Sequence, residues 1–167
     1  MTKTTFDFGT GPVRAHQHPN GGGWVADTAQ ADETAYIGPQ ARVFGSARVS
    51  GSARVSGSAL VYGSALVYGS AVFGSARVES RSDLLSIRGL GKSGSLTAFR
   101  CSEEPGYLIV AGCWCGGLKA MRANLKAPKR HWPDASPVDR KRYVAEYRSL
   151  IPLLKSRIAL WTQERKP

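Results

Sequence analysis

Val49-Ser50-Gly51-Ser52-Ala53-Arg54 is one unit of a six-residue repeat that runs from Val25 to Val78. Large apolar residues recur at Val25, Ile37, Val43, Val49, Val55, Val61 and Val67, with Ala31 weak in the series. Alanine recurs at Ala29, Ala35, Ala41, Ala47, Ala53, Ala59, Ala65 and Ala71. An α-helix cannot use this pattern: six residues advance roughly 600° at about 3.6 per turn, so successive valines would point to three different sides and no buried stripe would form.

Strands can use it. In Ala53-Arg54-Val55 the first and third residues share one face and the middle one takes the other, because strand side chains alternate. Alanine and valine go in, arginine goes out. The following Gly-Ser supplies a permissive backbone and a hydroxyl able to bond nearby amides, so each unit reads as one short strand and one corner.

These units resemble the hexapeptide-repeat family, whose members run large aliphatic, often glycine, two variable residues, small residue, variable residue. The resemblance covers about a third of the chain and implies a left-handed parallel β-helix with three hexapeptides per triangular coil. On that basis residues 25–80 make about three coils, roughly 14 Å of stacked strand at about 4.8 Å per layer. One unit is short: after Ala71-Val72-Phe73 the residue before Gly74 is missing, which predicts a tightened corner with Phe73 inside and a last unit ending at Val78. The expected fold is mainly β, with an N-terminal cap at residues 1–24, the β-helix at 25–80 and a small basic α+β domain at 81–167.

The same register predicts what faces solvent. Arg42, Arg48 and Arg54 fall on three different faces and make a ring, not a basic ladder. One coil later the equivalent positions are Leu60, Leu66 and Val72, accompanied by Tyr62 and Tyr68. An outward apolar ring needs a partner. It can be this chain's own C-terminal segment, or a second copy, since β-helices of the family are commonly trimers; a homo-oligomer, trimer or dimer, is expected. Open strand edges at the solenoid ends also need caps, expected from residues before 25 and after 80.

At 167 residues the chain can bury a core but leaves no room for a large catalytic domain. No apolar run approaches the roughly 18 residues of a membrane span, and Met1-Thr2-Lys3-Thr4-Thr5-Phe6 has no secretory core. With three cysteines, an odd number, the expected setting is reducing and cytoplasmic. Charge is uneven: residues 1–80 carry a net +1 and residues 81–167 a net +10 of the total +11. Lys119, Arg122, Lys126, Lys129 and Arg130 run without an intervening acid and end beside Trp132, and Arg140, Lys141 and Arg142 follow. Such clusters neutralise phosphates, dock acidic partners or solubilise a surface.

After residue 80 the pattern changes. Residues 84–88, 95–100 and 107–111 alternate or run apolar between Gly-rich breaks and predict three short strands of a small antiparallel sheet. A short helix is predicted over 118–125 with Leu118, Met121 and Leu125 on one side. The last helix is announced by Ser136 as cap, Pro137 at the first position and Asp139 near the positive end. Val144, Tyr147, Ile151, Leu154, Ile158 and Trp161 recur at helical spacing, and Pro152 must kink or divide the helix.

Candidate chemistry is sparse. Gly89-Leu90-Gly91-Lys92-Ser93-Gly94-Ser95 resembles a phosphate loop, but residue 86, where a Walker motif needs its first glycine, is serine, and the flanks read as strands; a hairpin turn is expected. Cys101, Cys113 and Cys115 would reach the four ligands of a structural zinc site only with His131, and the spacing is not the closed one such sites use; buried free thiols are expected. No metal and no cofactor are expected. His16 and His18 precede the first coil in a loop of Pro19, Asn20 and three glycines that predicts a cap, with Trp24 as its lid. Acyltransferases of the hexapeptide-repeat family use a histidine as general base, and His16 or His18 is the base that this alternative requires here.

A second resemblance spans nearly the whole chain. Residues 12–29, Ala35-Tyr36-Ile37-Gly38-Pro39 leading into Gly-Ser-Ala units, then Phe99-Arg100-Cys101 and Ala111-Gly112-Cys113-Trp114-Cys115 before Tyr143 and Tyr147, are similar to small hexapeptide-repeat proteins of bacteriophages and prophages. The resemblance implies a virus-encoded accessory protein acting in the cytoplasm of a bacterial host. The expected function is a non-enzymatic binding protein that assembles through its β-helix and blocks a host machine, such as an anti-CRISPR or other anti-defence inhibitor. In that role it would occlude an acidic or nucleic-acid-related surface. A host protein or nucleoprotein complex is the expected partner, and a virion component is a further alternative.

Overall fold

The computed structural model describes residues 4–92 and 94–163; Met1-Thr2-Lys3 of the N-terminal segment and Ser93 of the glycine-rich loop lie outside the described residues. The chain folds as two compact units, one formed by the residues up to Leu85 with Phe99–Glu104, the other by Ser86–Ala98 with the residues from Pro105 onward.

The first unit is a parallel β-helix of about three turns with three walls. The first wall stacks β3 (Trp24–Ala26), β6 (Arg42–Val43), β9 (Leu60–Val61) and β12 (Arg77–Val78); the second β4 (Gln30–Ala31), β7 (Arg48–Ser50) and β10 (Leu66–Tyr68); the third β5 (Tyr36–Ile37), β8 (Arg54–Val55) and β11 (Ala71–Val72). Val25, Val43, Val61 and Val78 form one inward column, each 0–1 % exposed, and the alanines before them are equally buried at Ala41, Ala59 and Ala76. Removing each valine from water stabilises the prism by about 1.5–3 kcal/mol, which is what a two-residue strand contributes in place of length. At the corners Thr34, Ser46 and Ser58 donate their hydroxyls to the carbonyls of Gly51, Gly63 and Gly74 in the next coil. The corner hydroxyls thus staple layers through carbonyls, where the sequence pattern suggested amides. At Gly63 (φ +59°) a Cβ would lie 2.5 Å from the carbonyl oxygen of Glu79, so the corner admits no side chain.

The short unit lies one corner earlier than expected. Successive layers are eighteen residues apart until Val67, but Val72 pairs with Val55, seventeen residues away, and Val78 with Val61. Ser70 therefore takes the inward place of an alanine, bonding its hydroxyl to the carbonyl of Tyr68 at 3.0 Å. Ala71 turns outward, and Val72 is fully buried and leaves the outer ring. Phe73 is not inside; it is half-buried, edge-to-face with Phe99 at 5.9 Å. A phenylalanine in a column sized for valine would overpack the prism, whereas serine fits an alanine's space.

Both ends of the coil are capped. β1 (Thr5–Asp7) and β2 (Pro12–Gln17) form an antiparallel hairpin that extends the first wall beyond β3. The loop after it seals the third wall: Ile37 donates to the carbonyl of Asn20 and Gly23 donates to that of Ile37, both at 2.9 Å. A Cβ at Gly23 would meet the carbonyl oxygen of Gly38 at 2.3 Å, so glycine permits the close approach. Trp24 is not the lid; it sits half-buried on the outer wall, stacked on Phe6 with centroids 4.5 Å apart. At the other end Cys101 bridges Ala76 and the amide of Ser102 donates to the carbonyl of Ser75 at 3.0 Å.

Strands β13 (Leu84–Arg88), β14 (Ser95–Arg100), β15 (Tyr107–Ala111) and β16 (Trp114–Gly116) form a sheet in chain order, with β15 and β16 antiparallel; the fourth strand was not legible in the sequence. Helices α1 (Leu118–Asn124), α2 (Pro128–His131), α3 (Pro137–Ser149) and α4 (Ile151–Gln163) follow. Ser136 caps α3, accepting from the Asp139 amide at 3.0 Å. Pro152 divides the helical stretch: α3 stops at Ser149 and Pro152 occupies the first turn of α4, where its missing donor costs no hydrogen bond. Of the helical stripe, Val144, Tyr147, Leu154, Ile158 and Trp161 are buried and Ile151 is half-buried, so the stripe is core, and Tyr143 is buried beside it.

Candidate functional site

The basic segment occupies α1, α2 and their connection. Lys119, Arg122, Lys126, Lys129 and Arg130 are all exposed and make no ion pair with a described residue. Helical spacing puts Lys119 and Arg122 on one face of α1, while Met121 and Leu125 turn to the opposite side and are buried. Pro128 starts α2, a single turn whose Lys129, Arg130 and His131 all lie in its last turn.

The three cations after residue 139 divide. Lys141 is exposed. Arg140 is half-buried and serves the fold: its Nη1 donates to the carbonyls of Trp132 and Pro133 at 3.1 Å and also to that of Ala135, which fixes the segment between α2 and α3. Arg142 pairs with Asp139 at 2.9 Å and Glu146 at 3.8 Å and lies over the Tyr143 ring, so two acids offset its charge. The free positive face therefore narrows to residues 119–130 and Lys141.

Beside it, and wholly inside the second unit, is a cleft of about 540 Å³. Trp114, Met121, Leu125, Trp132 and Tyr147 supply its apolar lining. The indole of Trp132 stacks on Tyr147, 5.9 Å between centroids at 12°, and meets Tyr143 edge-on at 5.6 Å. Lys92, Asn124, His131 and Asp134 are the polar groups at the lining. α1 is shared by both features, burying Met121 toward the unit and exposing Arg122. A concave aromatic wall with a few polar groups and cations on the adjoining helices can hold a planar, negatively charged group.

The glycine-rich turn is a hairpin, closed by Gly89 donating to the carbonyl of Gly94 at 2.7 Å. The Gly91 amide donates to Glu146 Oε2 at 2.7 Å, so a carboxylate occupies the place where a phosphate loop would receive its anion. Of the cysteines only Cys101 is buried; Cys113 and Cys115 are exposed, against expectation, because one sits at the β15–β16 turn and the other on the sheet's edge strand. Among the described residues no three His, Cys, Asp or Glu side chains gather as a metal site would require.

The two histidines part company. His18 is 3 % exposed, its Nε2 3.1 Å from the carbonyl oxygen of Asp32 and its Nδ1 within 3.3 Å of both backbone atoms offered by Asn20. With Nε2 donating to Asp32 and Nδ1 accepting from the Asn20 amide, the ring is used up in holding the cap. His16 is exposed and pairs with Asp27 at 3.3 Å.

The expected apolar belt is discontinuous. Leu66 and Tyr68 are exposed, but Leu60 is half-buried, Val72 is inside and Tyr62 stacks on Phe44 at 5.0 Å. Burial, and then the Glu79 carboxylate beside it, push the Tyr62 phenol above its ordinary range, which keeps it a donor. Arg42 and Arg54 of the arginine ring lie over the rings of Phe6 and Tyr36. Comparison with family models, curated proteins and solved structures finds no match to this chain.

Proposed function

We propose that the chain is a non-catalytic binding protein that docks the α1–α2 face on an acidic or phosphate-bearing surface of a host complex and occludes it. The observation that carries this reading is the set of five exposed cations over residues 119–130 without a carboxylate to neutralise them. In this reading the prism is the rigid carrier, wound left-handed as in the hexapeptide-repeat proteins that its units resemble, and the chain is a virus-encoded protein acting inside a bacterium, a reading supported by its sequence resemblance to bacteriophage proteins. Exposed Leu66 and Tyr68 are the part of the belt that remains for self-association. His18, tied to backbone on both nitrogens, argues against the acyltransferase alternative's second base.

Reversing charge at Lys126, Lys129 and Arg130 together, each to glutamate, is expected to weaken capture of a labelled single-stranded oligothymidylate by at least about tenfold at low salt. The melting temperature should stay within about 2 °C, because exposed substitutions change stability little. Anisotropy titration and thermal denaturation measure the two quantities, and unchanged capture by the folded variant removes the α1–α2 face from the mechanism.

A further inference from the structure

We propose that the cleft of the second unit is a nucleotide site, in which a nucleobase lies against the aromatic lining and its phosphate faces the cations of α1–α2. The inference rests on the reading of that face as anion-binding and goes beyond it by naming the group the partner inserts. The volume of about 540 Å³ falls within the roughly 300–1,000 Å³ of sites that enclose a small molecule. Half-buried Trp114 and Trp132 offer flat, polarisable surface, the kind on which any base stacks regardless of its sequence identity, with buried Tyr147 and Met121 packed behind them. Asn124 brings both a donor and an acceptor and Asp134 an acceptor, the complement of a base edge.

Charge selects an anion over a neutral ring. Lys92 is in the lining itself, and α2, which delivers His131 to the cleft, carries Lys129 and Arg130 beside it. Asp134 is the acid of the lining; Glu146 is engaged by the Gly91 amide. A purely apolar ligand would make no use of Lys92, Asn124 and Asp134, and an inorganic anion would leave the indoles unused. A free nucleotide and an unstacked base of a nucleic-acid strand share the chemistry that fits.

Cys113 gives a direct readout, because it lines the cleft and is exposed, while Cys115 is exposed outside the lining and serves as an internal control. The full chain is alkylated with limiting iodoacetamide and the rates at the two cysteines are resolved by mass spectrometry. The arms are buffer, individual ribonucleoside 5′-monophosphates, a short oligothymidylate, and inorganic pyrophosphate as charge without a base. At saturation the nucleotide is expected to slow Cys113 by about fivefold or more with Cys115 unchanged, and pyrophosphate to have no effect on either. Protection by mononucleotides assigns the site to free nucleotides; protection by the oligonucleotide alone assigns it to a strand. An oligonucleotide that binds without protecting Cys113, or pyrophosphate protecting it equally, overturns the base site while leaving the anion-binding face intact. An oligonucleotide that does not bind, together with mononucleotides that do not protect Cys113, removes both.

Discussion

Val61→Asp is expected to abolish folding of the prism. Val61 is fully buried between Val43 and Val78 in the first wall, with no polar group aimed at it from the column. An isolated carboxylate placed there either remains charged in an apolar interior or takes up a proton, and each outcome costs several kcal/mol. Domains of this size hold only about 5–15 kcal/mol in total. Val61→Ala, which leaves a cavity but no charge, should cost about 1–3 kcal/mol and still fold. Far-ultraviolet circular dichroism and urea titration separate the two cases. A Val61→Asp protein with the parent's spectrum and midpoint would mean that this side chain meets water and that the inward register is wrong.

Asp83→Ala is expected to destabilise the first unit by about 3 kcal/mol, within the range for breaking a buried ion pair from one side. Asp83 is 3 % exposed in the 3₁₀ turn Arg81–Asp83. It accepts from Arg100 Nη1 at 2.9 Å, the Ser80 amide at 2.8 Å, the Ser80 hydroxyl at 3.0 Å and the Glu79 amide at 3.1 Å. Burial alone would raise its carboxyl, but the Arg100 guanidinium and then the Ser80 and Glu79 donors outweigh that, and the group is held below its ordinary range. The unfolded chain therefore binds this proton first as pH falls. The stabilisation is complete above about pH 4, the ordinary aspartate value, and is lost progressively as pH drops from there through the lowered folded value. Asp83→Asn should flatten the acid limb of the stability curve by this group's share. An acid limb identical to the parent's would show that Asp83 does not carry it.

Period six was sufficient to read the walls, because alternation places Ala53 and Val55 inside and Arg54 outside whatever the coil's handedness. It could not locate the short unit. Between Tyr68 and Gly74 two registers compete, Ser70 with Val72 and Ala71 with Phe73, and only the volume available inside a valine column decides between them. The caps were half legible: His18 and the glycines announced a loop, but the pairing of Ile37 with Asn20 and of Gly23 with Ile37 joins positions that carry no shared pattern. The pairing of Arg142 with Asp139 and Glu146 at three and four residues' spacing was open to a reader of the sequence. The Arg140 clamp was not, since backbone carbonyls leave no signature. The aromatic cleft was hidden for a similar reason: Trp114, Trp132 and Tyr147 come from a strand, the end of a four-residue helix and a long helix, and periodicity has nothing to say about such a set.

In the proposed function the unpaired cations over residues 119–130 seize phosphates or carboxylates by charge. Titrating the full chain with labelled oligothymidylate across a salt series measures this most directly. Five contacts to a single strand predict a straight line of log affinity against log salt with a slope of about −3.5, falling toward about −1.4 for the two contacts left in the Lys126, Lys129 and Arg130 reversal variant. A flat line, or one whose slope the reversal leaves unaltered, would contradict the account.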